Sequence, residues 1–173
     1  DIIIVGGGPA GTTAALYAKK LGLRSILIEK AIFPRDKICG DALSGKSVRM
    51  MRELDILSEV EKLNGAQINR ITFGSPSNKQ FDISLNNKKN DKIKKKGFVI
   101  PRKIFDNYLF KKASNVTETR QGARVIDIIK KNNFVIGVIV KNYDGKEESI
   151  YAPIILGCDG PFSIIARKLG LYK

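Results

Sequence analysis

The first thirty residues combine two short apolar runs with a helical pattern between them. Ile2–Val5 are continuously apolar, which is typical of a strand that is buried on both faces. Small apolar residues then recur at helical spacing, at Ala14, Ala15, Ala18 and Leu21. Gly22 can end this helix, and a second apolar run covers residues 25–28. The order of strand, helix and strand predicts a parallel βαβ unit.

The remainder of the chain combines one long helix with strands that pair antiparallel. The helix is expected after Pro101, because proline suits a first helical turn and apolar residues then recur on one face. Alternating residues at 68–73 and 81–85 predict a hairpin around a Ser-Pro-Ser-Asn turn. Two further β-rich runs, 123–129 and 134–140, are separated by Lys-Lys-Asn-Asn, which favours a tight turn.

Shorter elements complete the pattern. Residues 37–45 are expected to form a loop that leads into a helix, and residues 97–100 a strand. The Asp-Gly pair at 144–145 predicts a turn, followed by strands at 149–152 and Ile154–Gly157. Together these elements predict an α/β fold, a Rossmann-like βαβ domain with an inserted antiparallel β-sheet segment.

Three glycines follow the first strand at the spacing Gly-x-Gly-x-x-Gly. Gly6 permits a tight turn, Gly8 leaves room for a pyrophosphate against the backbone, and Gly11 lets the helix pack closely on the strand. Pro9 fits the first helical turn, where its missing N–H costs nothing, and Ala10 comes next. The free amides and the positive end of the helix dipole then face the phosphates. The segment therefore predicts a site for the ADP half of a dinucleotide.

Glu29 ends the second apolar run. A carboxylate at this position can accept hydrogen bonds from a ribose 2′-hydroxyl, whereas a site for NADP usually has a cation there. The alternative is a glycine turn in an α/β domain that binds no nucleotide. The joint occurrence of strand, glycines, helix, strand and acid favours the nucleotide site.

The formal net charge of +14 is typical of proteins that bind a polyanion, such as a nucleic acid or an anionic membrane. Much of the excess lies in one stretch, at Lys88, Lys89, Lys92, Lys94, Lys95 and Lys96. This stretch lacks the arginines and aromatic residues of a typical RNA-binding patch. Its composition indicates a solvated loop, with weak attraction to an anionic membrane surface as the main alternative. Specific binding of nucleic acid is not expected.

The chain contains two cysteines, far apart, and no histidine. A zinc site that uses histidine, a Ser-His-Asp triad and histidine acid–base chemistry are therefore excluded within these residues, and no metal is expected. Any redox chemistry must be carried by a cofactor. No apolar run approaches the length of about 20 residues that spans a bilayer. We expect a cytoplasmic protein, with peripheral contact at the inner face of the membrane as the alternative.

Four segments together resemble one family. They are the glycine segment Asp-Ile-Ile-Ile-Val-Gly-Gly-Gly-Pro-Ala-Gly with Ile-Glu-Lys, the segment Pro-Arg-Asp-Lys-Ile-Cys-Gly-Asp-Ala-Leu-Ser, the helix that follows Pro101, and the terminal Gly-Cys-Asp-Gly-Pro-Phe-Ser. In this order they resemble the FAD-dependent oxidoreductases with the p-hydroxybenzoate hydroxylase fold, and within them the geranylgeranyl reductase branch. The resemblance implies FAD as the cofactor and NAD(P)H as the electron donor.

The resemblance also implies roles for single residues. The residues that would hold the FAD pyrophosphate and the adenosine are Gly6, Gly8, Pro9, Ala10, Gly11, Glu29 and Lys30. Arg102 would reach a phosphate or ribose, with a surface arginine as the alternative. Val125 would lie beneath the adenine through its backbone, or else only pack in the core. Asp159 and Gly160 would lie near the pyrophosphate, or form an ordinary turn.

Cys39, Gly40 and Ala42 match the segment that passes close to the flavin ring in geranylgeranyl reductases. Small residues permit a close approach of the backbone to an aromatic plane. The alternative for Cys39 is a small buried hydrophobic residue, which is what most free cysteines are. A redox role for its thiol is disfavoured, and the catalytic residues stay unknown. Cys158, in an apolar strand, is expected to be core.

The implied function is the reduction of double bonds in an isoprenoid lipid by hydride transfer from reduced flavin. A flavin monooxygenase that hydroxylates or halogenates a small molecule is the alternative on the same fold. A third interpretation is a dinucleotide-binding module without activity of its own, and a fourth is a basic interaction protein. The substrate and the oligomeric state cannot be read from the sequence.

The resemblance divides the chain into an interrupted FAD-binding domain, residues 1–66 and 101–173, and a β-hairpin segment of a substrate domain, residues 67–100. The family carries a second Gly-Asp motif and a substrate-covering region further along, and neither is present here. The chain also begins with Asp1 rather than Met. We therefore expect the amino-terminal portion of a longer enzyme, an incomplete FAD/NAD(P)-binding fold.

Overall fold

The structure is a computed structural model that describes residues 1–85 and 97–171. The lysine-rich stretch predicted as a solvated loop lies outside these residues. The chain divides into two compact units. Unit 1 comprises Asp1–Asp36 and Asp106–Lys173, and unit 2 comprises Lys37–Phe105.

The described residues form twelve strands and five helices. In chain order these are β1 (Ile2–Val5), α1 (Pro9–Lys20), β2 (Ser25–Glu29), β3 (Ala42–Leu43), α2 (Gly45–Glu53), α3 (Leu57–Val60), β4 (Ala66–Ile68), β5 (Arg70–Gly74), β6 (Gln80–Ser84), β7 (Gly97–Val99), α4 (Arg102–Ser114), β8 (Glu118–Gln121), β9 (Arg124–Lys131), β10 (Phe134–Lys141), β11 (Glu147–Tyr151), β12 (Ile154–Gly157) and α5 (Ile164–Lys168).

Unit 1 is built on a parallel sheet with the strand order β12-β1-β2-β8. Each neighbouring pair is parallel, with Ile4 opposite Leu156 on one side and Leu27 on the other. All four residues of β1 are buried, because helices and a second sheet cover both faces of a parallel sheet. Alternate residues of β1 therefore enter two separate cores.

One core lies on the face covered by helices. Ile2, Ile4 and Leu27 pack there with residues of α1 and α4, namely Ala15, Ala18, Phe110 and Ala113. The small side chains of α1 allow this helix to lie close to the sheet. The helix begins with Pro9 directly after the N-cap residue Gly8, and Gly22 beyond its end has φ +73°. Both features agree with the signals in the sequence.

The other core lies against an antiparallel sheet with the strand order β11-β10-β9. Its buried members are Ile3, Val5, Ile28, Ala123, Val125, Val138, Val140 and Ile165. The hairpin between β9 and β10 turns at Asn132 and Asn133, whose φ angles are +50° and +63°. Two successive positive φ values belong to the turn type that matches strand twist, and asparagine tolerates them.

Unit 2 contains a small antiparallel sheet with the order β3-β7-β4 and a separate hairpin of β5 and β6. Its buried apolar side chains are Val48, Met51, Ile56, Val60, Phe98, Ile100 and Phe105. The hairpin is instead exposed along its whole length. Its Phe73 and Phe81 rings stack with their centroids 5.1 Å apart.

The α/β fold with an antiparallel sheet segment is confirmed, as are the predicted hairpins. The prediction of an uninterrupted loop at 37–45 was wrong, because Ala42–Leu43 pair with β7. The helix expected beyond it is two helices, α2 and α3, and the strands β4 and β8 were missed. Unit 2 begins well before residue 67, and the division into an FAD-binding and a substrate domain stays a prediction. Among the described helices, none combines the length and apolarity that crossing a membrane requires.

Candidate functional site

The glycine segment of unit 1 forms a loop whose start is fixed by the backbone on both sides of it. The Gly6 N–H donates to the Ile28 carbonyl at 2.8 Å, and the Cys158 N–H donates to the Val5 carbonyl at 2.7 Å. Gly6 has φ +104°, and a Cβ atom there would lie 2.5 Å from the Cys158 carbonyl oxygen. Only glycine therefore fits at Gly6, as the spacing predicted.

Gly11 and Gly8 differ in what surrounds them. A Cβ atom at Gly11 would overlap the Gly6 carbonyl oxygen and lie 3.2 Å from Ile4 Cγ2. At Gly8 it would meet only Arg35 Nη2, at 3.7 Å. Gly11 is thus required by the packing of α1 on β1, whereas the described residues leave open space beside Gly8.

The N-terminus of α1 carries amides that no side chain of the described residues caps. The N-cap residue Gly8 has no side chain, and Pro9 lacks an N–H group. Thr12 is fully buried. Its hydroxyl donates to the Gly8 carbonyl at 2.9 Å, and in this contact it acts as a donor rather than as a cap for the N–H groups of the first turn. The remaining N–H groups of the first turn, at Ala10 and Gly11, suit an anion.

Glu29 faces the glycine loop from the end of β2. Its side chain accepts hydrogen bonds from the Gly7 N–H at 2.6 Å and from the Ala31 N–H at 2.8 Å. The residue is only 7% exposed, so these two donors stabilise a buried carboxylate. Each carboxylate oxygen has two acceptor sites, and one on each oxygen remains for a further donor.

Five of the predicted residues line one cavity in unit 1. Its volume is about 330 Å³, within the range of small-molecule sites. Gly6, Glu29, Lys30, Val125 and Asp159 contribute to its wall, together with the cations Arg124 and Arg167. Lys30 is exposed beside buried Glu29, so the cavity combines two carboxylates, those of Glu29 and Asp159, with several positive side chains.

Asp159 and Gly160 form the turn between β12 and α5. Asp159 Oδ2 accepts from the Ile164 N–H at 2.6 Å, and Gly160 has φ +83°. Asp159 Oδ1 is buried and has no hydrogen-bond partner among the described residues. The turn therefore has a structural role and also keeps one acceptor in the cavity wall available.

Val125 lies in β9 and packs in the core, with 5% of its surface exposed. The core-packing alternative thus describes its side chain correctly, and the predicted backbone contact with an adenine stays a prediction. Cys158 is half-buried and stands one residue beyond β12, not inside it. Burial raises the pKa of its thiol, with a smaller contribution from the charge of Asp159.

The other four predicted residues belong to unit 2. Cys39 and Gly40 are exposed, and a Cβ atom at Gly40 would have no neighbour within 4 Å among the described residues. A hydrogen bond from the Asp41 backbone lowers the pKa of the Cys39 thiol, and one from the Arg102 side chain lowers it further. Ala42 pairs with Val99 in the small sheet. The alternative interpretation of Cys39, as a small buried hydrophobic residue, was wrong because the residue is exposed.

The conformation of this second loop depends on Asp41. This residue has φ +56°, its carbonyl accepts from the Ile100 N–H at 3.0 Å, and its Oδ1 accepts from the Arg102 N–H at 3.3 Å. The structure therefore brings Cys39, Asp41 and Arg102 together, and it places them in a different unit from the glycine loop.

Sequence reasoning missed Arg35, the side chain that approaches Gly8. Arg35 Nη1 lies 2.7 Å from Asp106 Oδ2, and its guanidinium lies over the Phe33 ring. Arg35 lay within one of the segments that carry the resemblance, but nothing nearby in the sequence marks Asp106 as its partner.

Comparison with known proteins supplies the family context. A family model described as "FAD binding domain" matches residues 1–172. The chain is 30% identical over 169 residues to the 1H-pyrrole-2-carbonyl-[peptidyl-carrier protein] brominase of Pseudoalteromonas luteoviolacea, covering 97% of this chain and 39% of the relative. It is 31% identical over 173 residues to digeranylgeranylglycerophospholipid reductase 1 of Methanococcoides burtonii, covering 99% and 40%.

The fold has a match among solved structures. A flavoprotein/dehydrogenase from Cytophaga hutchinsonii superposes with a TM-score of 0.87 at 24% identity, over 99% of this chain and 42% of that chain. At this identity the likeness concerns the fold alone. The chain spans about two fifths of the length of the relatives that it matches.

Proposed function

The chain belongs to the FAD binding domain family of flavin-dependent oxidoreductases, and on that premise we propose that unit 1 binds the ADP half of FAD and that the protein reduces double bonds of an isoprenoid lipid. The observation that carries the first part is the difference among the glycines. Gly6 and Gly11 are enclosed by backbone, while the space beside Gly8 is open. A pyrophosphate requires this arrangement, because it must approach the backbone where no side chain intervenes.

Three features of unit 1 fit FAD. The first turn of α1 presents uncapped amides that suit phosphate oxygens. Glu29 keeps acceptor positions that suit ribose hydroxyls. Asp159 Oδ1 is a buried acceptor without a partner in the described chain, and such an atom is costly unless a donor reaches it. A ligand that has both phosphates and hydroxyls satisfies all three.

The chain's own residues would bind and orient the cofactor. Gly8, Ala10 and Gly11 would hold the pyrophosphate, Glu29 and Lys30 the adenosine ribose, and Gly160 would keep the Asp159 turn in place. The roles of Val125 beneath the adenine, of Arg102 toward a phosphate, and of Cys39, Gly40 and Ala42 toward the flavin stay predictions. FAD, when bound, would supply hydride-transfer chemistry, which amino-acid side chains do not supply.

The proposal of a reductase draws on relatives and on sequence. A digeranylgeranylglycerophospholipid reductase is among the relatives, and the Cys39–Gly40 pair resembles the geranylgeranyl reductase branch. NAD(P)H is the electron donor that we propose with it. The second candidate is a flavin halogenase or monooxygenase, which a brominase of comparable identity supports. Contact with an anionic membrane surface stays a prediction from the net charge of +14.

The Gly8→Val substitution tests cofactor binding with little effect on folding. Gly8 has an extended backbone with φ −73°, which valine adopts, and a Cβ atom there meets no backbone. We expect the purified variant to melt close to the wild type and to lose the bound flavin absorbance near ~450 nm. Gly74→Val is the matched control, because a Cβ atom at Gly74 contacts only the Gln80 side chain, at 3.8 Å.

Retention of FAD by the Gly8 variant after dialysis would contradict the proposed site.

Two reactions distinguish the candidate activities. If the protein is a reductase, a geranylgeranyl lipid incubated anaerobically with the protein and NAD(P)H gains hydrogen at its double bonds. If the protein is a halogenase or monooxygenase, aerobic incubation with NAD(P)H, halide and a small acceptor adds halogen or oxygen to that acceptor. Mass spectrometry of the products distinguishes these outcomes.

A further inference from the structure

The arginine that sequence reasoning missed lies beside the one open position of the glycine loop. Arg35 Nη2 is 3.7 Å from the place where a Cβ atom at Gly8 would lie. A guanidinium presents up to five N–H donors in a planar fork, which matches the oxygens of a phosphate. Arg35 can therefore bind a phosphate beside Gly8 if its side chain is held in this position.

Asp106 holds one end of the guanidinium. Arg35 Nη1 lies 2.7 Å from Asp106 Oδ2, and the Asp106 side chain is completely buried. A cation beside a buried carboxylate offsets part of the cost of burying its charge, so this contact holds Arg35 in place. The N–H groups of Nη1 are nevertheless not aligned for a hydrogen bond, and this buried nitrogen makes none within the described residues. Nη1 is thus held beside Asp106, and Nη2, which lies toward Gly8, is the nitrogen that can donate to a ligand oxygen.

Two stacked aromatic rings connect the Arg35 guanidinium to the glycine loop. Arg35 Cζ lies 4.9 Å from the centroid of the Phe33 ring, and Phe33 stacks on Phe110 with centroids 4.4 Å apart and an interplanar angle of 18°. Phe110 in turn packs against Gly7, where a Cβ atom would lie 2.8 Å from its Cε2 atom. Because Asp106 and Phe110 stand four residues apart on α4, they share one face of that helix.

From this arrangement we propose that Arg35 binds the pyrophosphate of a dinucleotide at the Gly8 position, and that Asp106 acts as a positioning residue that orients its guanidinium. This inference rests on the proposed function and adds a specific cation to it. The chemistry recognised is the diphosphate itself, which FAD and ADP share. The helix amides and Arg35 would then hold the phosphates from two directions.

The test uses the 173-residue protein, and ADP and adenosine as probes. Replacement of Arg35 by glutamine removes charged hydrogen bonds to phosphate, for which we expect the ADP and FAD affinities to fall about tenfold to a hundredfold. The affinity for adenosine, which carries no phosphate, stays unchanged. Arg35→Lys keeps the charge without the fork and restores part of the ADP affinity. Arg49→Gln, at an arginine that is 79% exposed, is the control for net charge.

A double-mutant cycle tests the role of Asp106. We expect Asp106→Asn to weaken ADP binding in the wild type and to have no further effect on it in the Arg35→Gln background, because its influence passes through the arginine. Raising the salt concentration weakens ADP binding more steeply in the wild type than in Arg35→Gln, since a charge contact is screened. This measurement needs no Asp106 variant, so it tests the contact between Arg35 and the phosphates even if that variant fails to fold.

Several results would overturn the proposal. Equal losses of ADP and adenosine affinity in Arg35→Gln would show that Arg35 only supports the loop. Unchanged ADP affinity would show that it does not reach the phosphates. An effect of Asp106→Asn that persists without Arg35 would remove Asp106 from the positioning role. A wild type that binds neither ADP nor FAD would instead refute the proposed function, and this inference with it.

Discussion

Two glycine-containing loops were predicted to serve one cofactor, and they are built in opposite ways. The loop of unit 1 is enclosed at Gly6 and Gly11 by backbone atoms, and buried Glu29 accepts a hydrogen bond from its Gly7 N–H. The loop of unit 2 is exposed at Cys39 and Gly40, and a Cβ atom at Gly40 would have no neighbour within 4 Å in the described chain.

Within the site that we propose, the loop of unit 1 is the part that is pre-formed. A phosphate needs amides that are fixed before it arrives, since ordering a loop on binding costs affinity. The loop of unit 1 meets this requirement through its own packing. The loop of unit 2 is instead held through Asp41, whose carbonyl and carboxylate accept the Ile100 and Arg102 amides. A glycine in the first loop is thus required by sterics, whereas Gly40 is not.

Matched glycine-to-alanine substitutions test this contrast and have the largest expected effect. Gly11→Ala places a methyl group onto the Gly6 carbonyl, so α1 must move away from β1. We expect the free energy of unfolding to fall by about 3 kcal/mol. Gly40→Ala meets no atom, and we expect it to leave stability unchanged or to raise it by up to about 1 kcal/mol. Urea denaturation of both variants gives the comparison.

Equal destabilisation by the two alanines would contradict this distinction, because it would mean that Gly40 is enclosed as tightly as Gly11. A stable Gly11→Ala variant would show that α1 does not pack on β1 as described.

Glutamate-to-glutamine substitutions sharpen the comparison with a smaller effect. Glu29 accepts from two backbone N–H groups, and glutamine offers one acceptor oxygen with an NH₂ group in place of the other. One amide therefore loses its partner, and we expect a loss of about 1–2 kcal/mol in the free energy of unfolding. Glu53→Gln in unit 2 disrupts an exposed pair with Arg49 and is expected to cost under about 0.5 kcal/mol. Thermal unfolding of both variants measures the difference, and equal losses would contradict the buried role of Glu29.

The exposed hairpin of β5 and β6 was predicted from its alternating residues and its turn. Other elements that the sequence predicted bury a regular apolar pattern. β1, α1 and β12 are of this kind, because their residues face a core. β8 was missed because its sequence, Glu-Thr-Arg-Gln, has no apolar residue. It lies at the edge of the parallel sheet and pairs with β2 through its backbone. Its Arg120 instead forms an ion pair with Glu148, with the two atoms 2.6 Å apart.

The same limit explains what was foreseen of the candidate site. The glycine positions could be predicted because their steric requirement is local and recurs at fixed spacing. The pairing of Arg35 with Asp106 could not, since it joins two distant parts of the chain, and an arginine after a proline resembles a surface residue. The opposite environments of the two cysteines likewise depend on tertiary contacts. The fold brings the Arg102 side chain to one thiol and half-buries the other.

The two cysteines provide the smallest test of the comparison, one of reactivity rather than stability. Only the thiolate reacts with iodoacetamide. The Asp41 backbone and Arg102 lower the pKa of the exposed Cys39 thiol, so its thiolate persists to lower pH than in an ordinary cysteine. Burial raises the pKa of Cys158, so its thiolate forms only at higher pH. At neutral pH we expect Cys39 to be alkylated more than about tenfold faster.

Peptide mass spectrometry across a pH series measures both midpoints in one sample. Arg102→Gln removes one of the groups that stabilise the Cys39 thiolate, and we expect it to move the Cys39 midpoint to higher pH while that of Cys158 stays in place. Arg49→Gln, which removes an exposed charge elsewhere in unit 2, should move neither. Coincident midpoints in the wild type would mean that the loop around Asp41 does not hold the thiol as described. The contrast between a packed loop and an open one would then no longer extend to their chemistry.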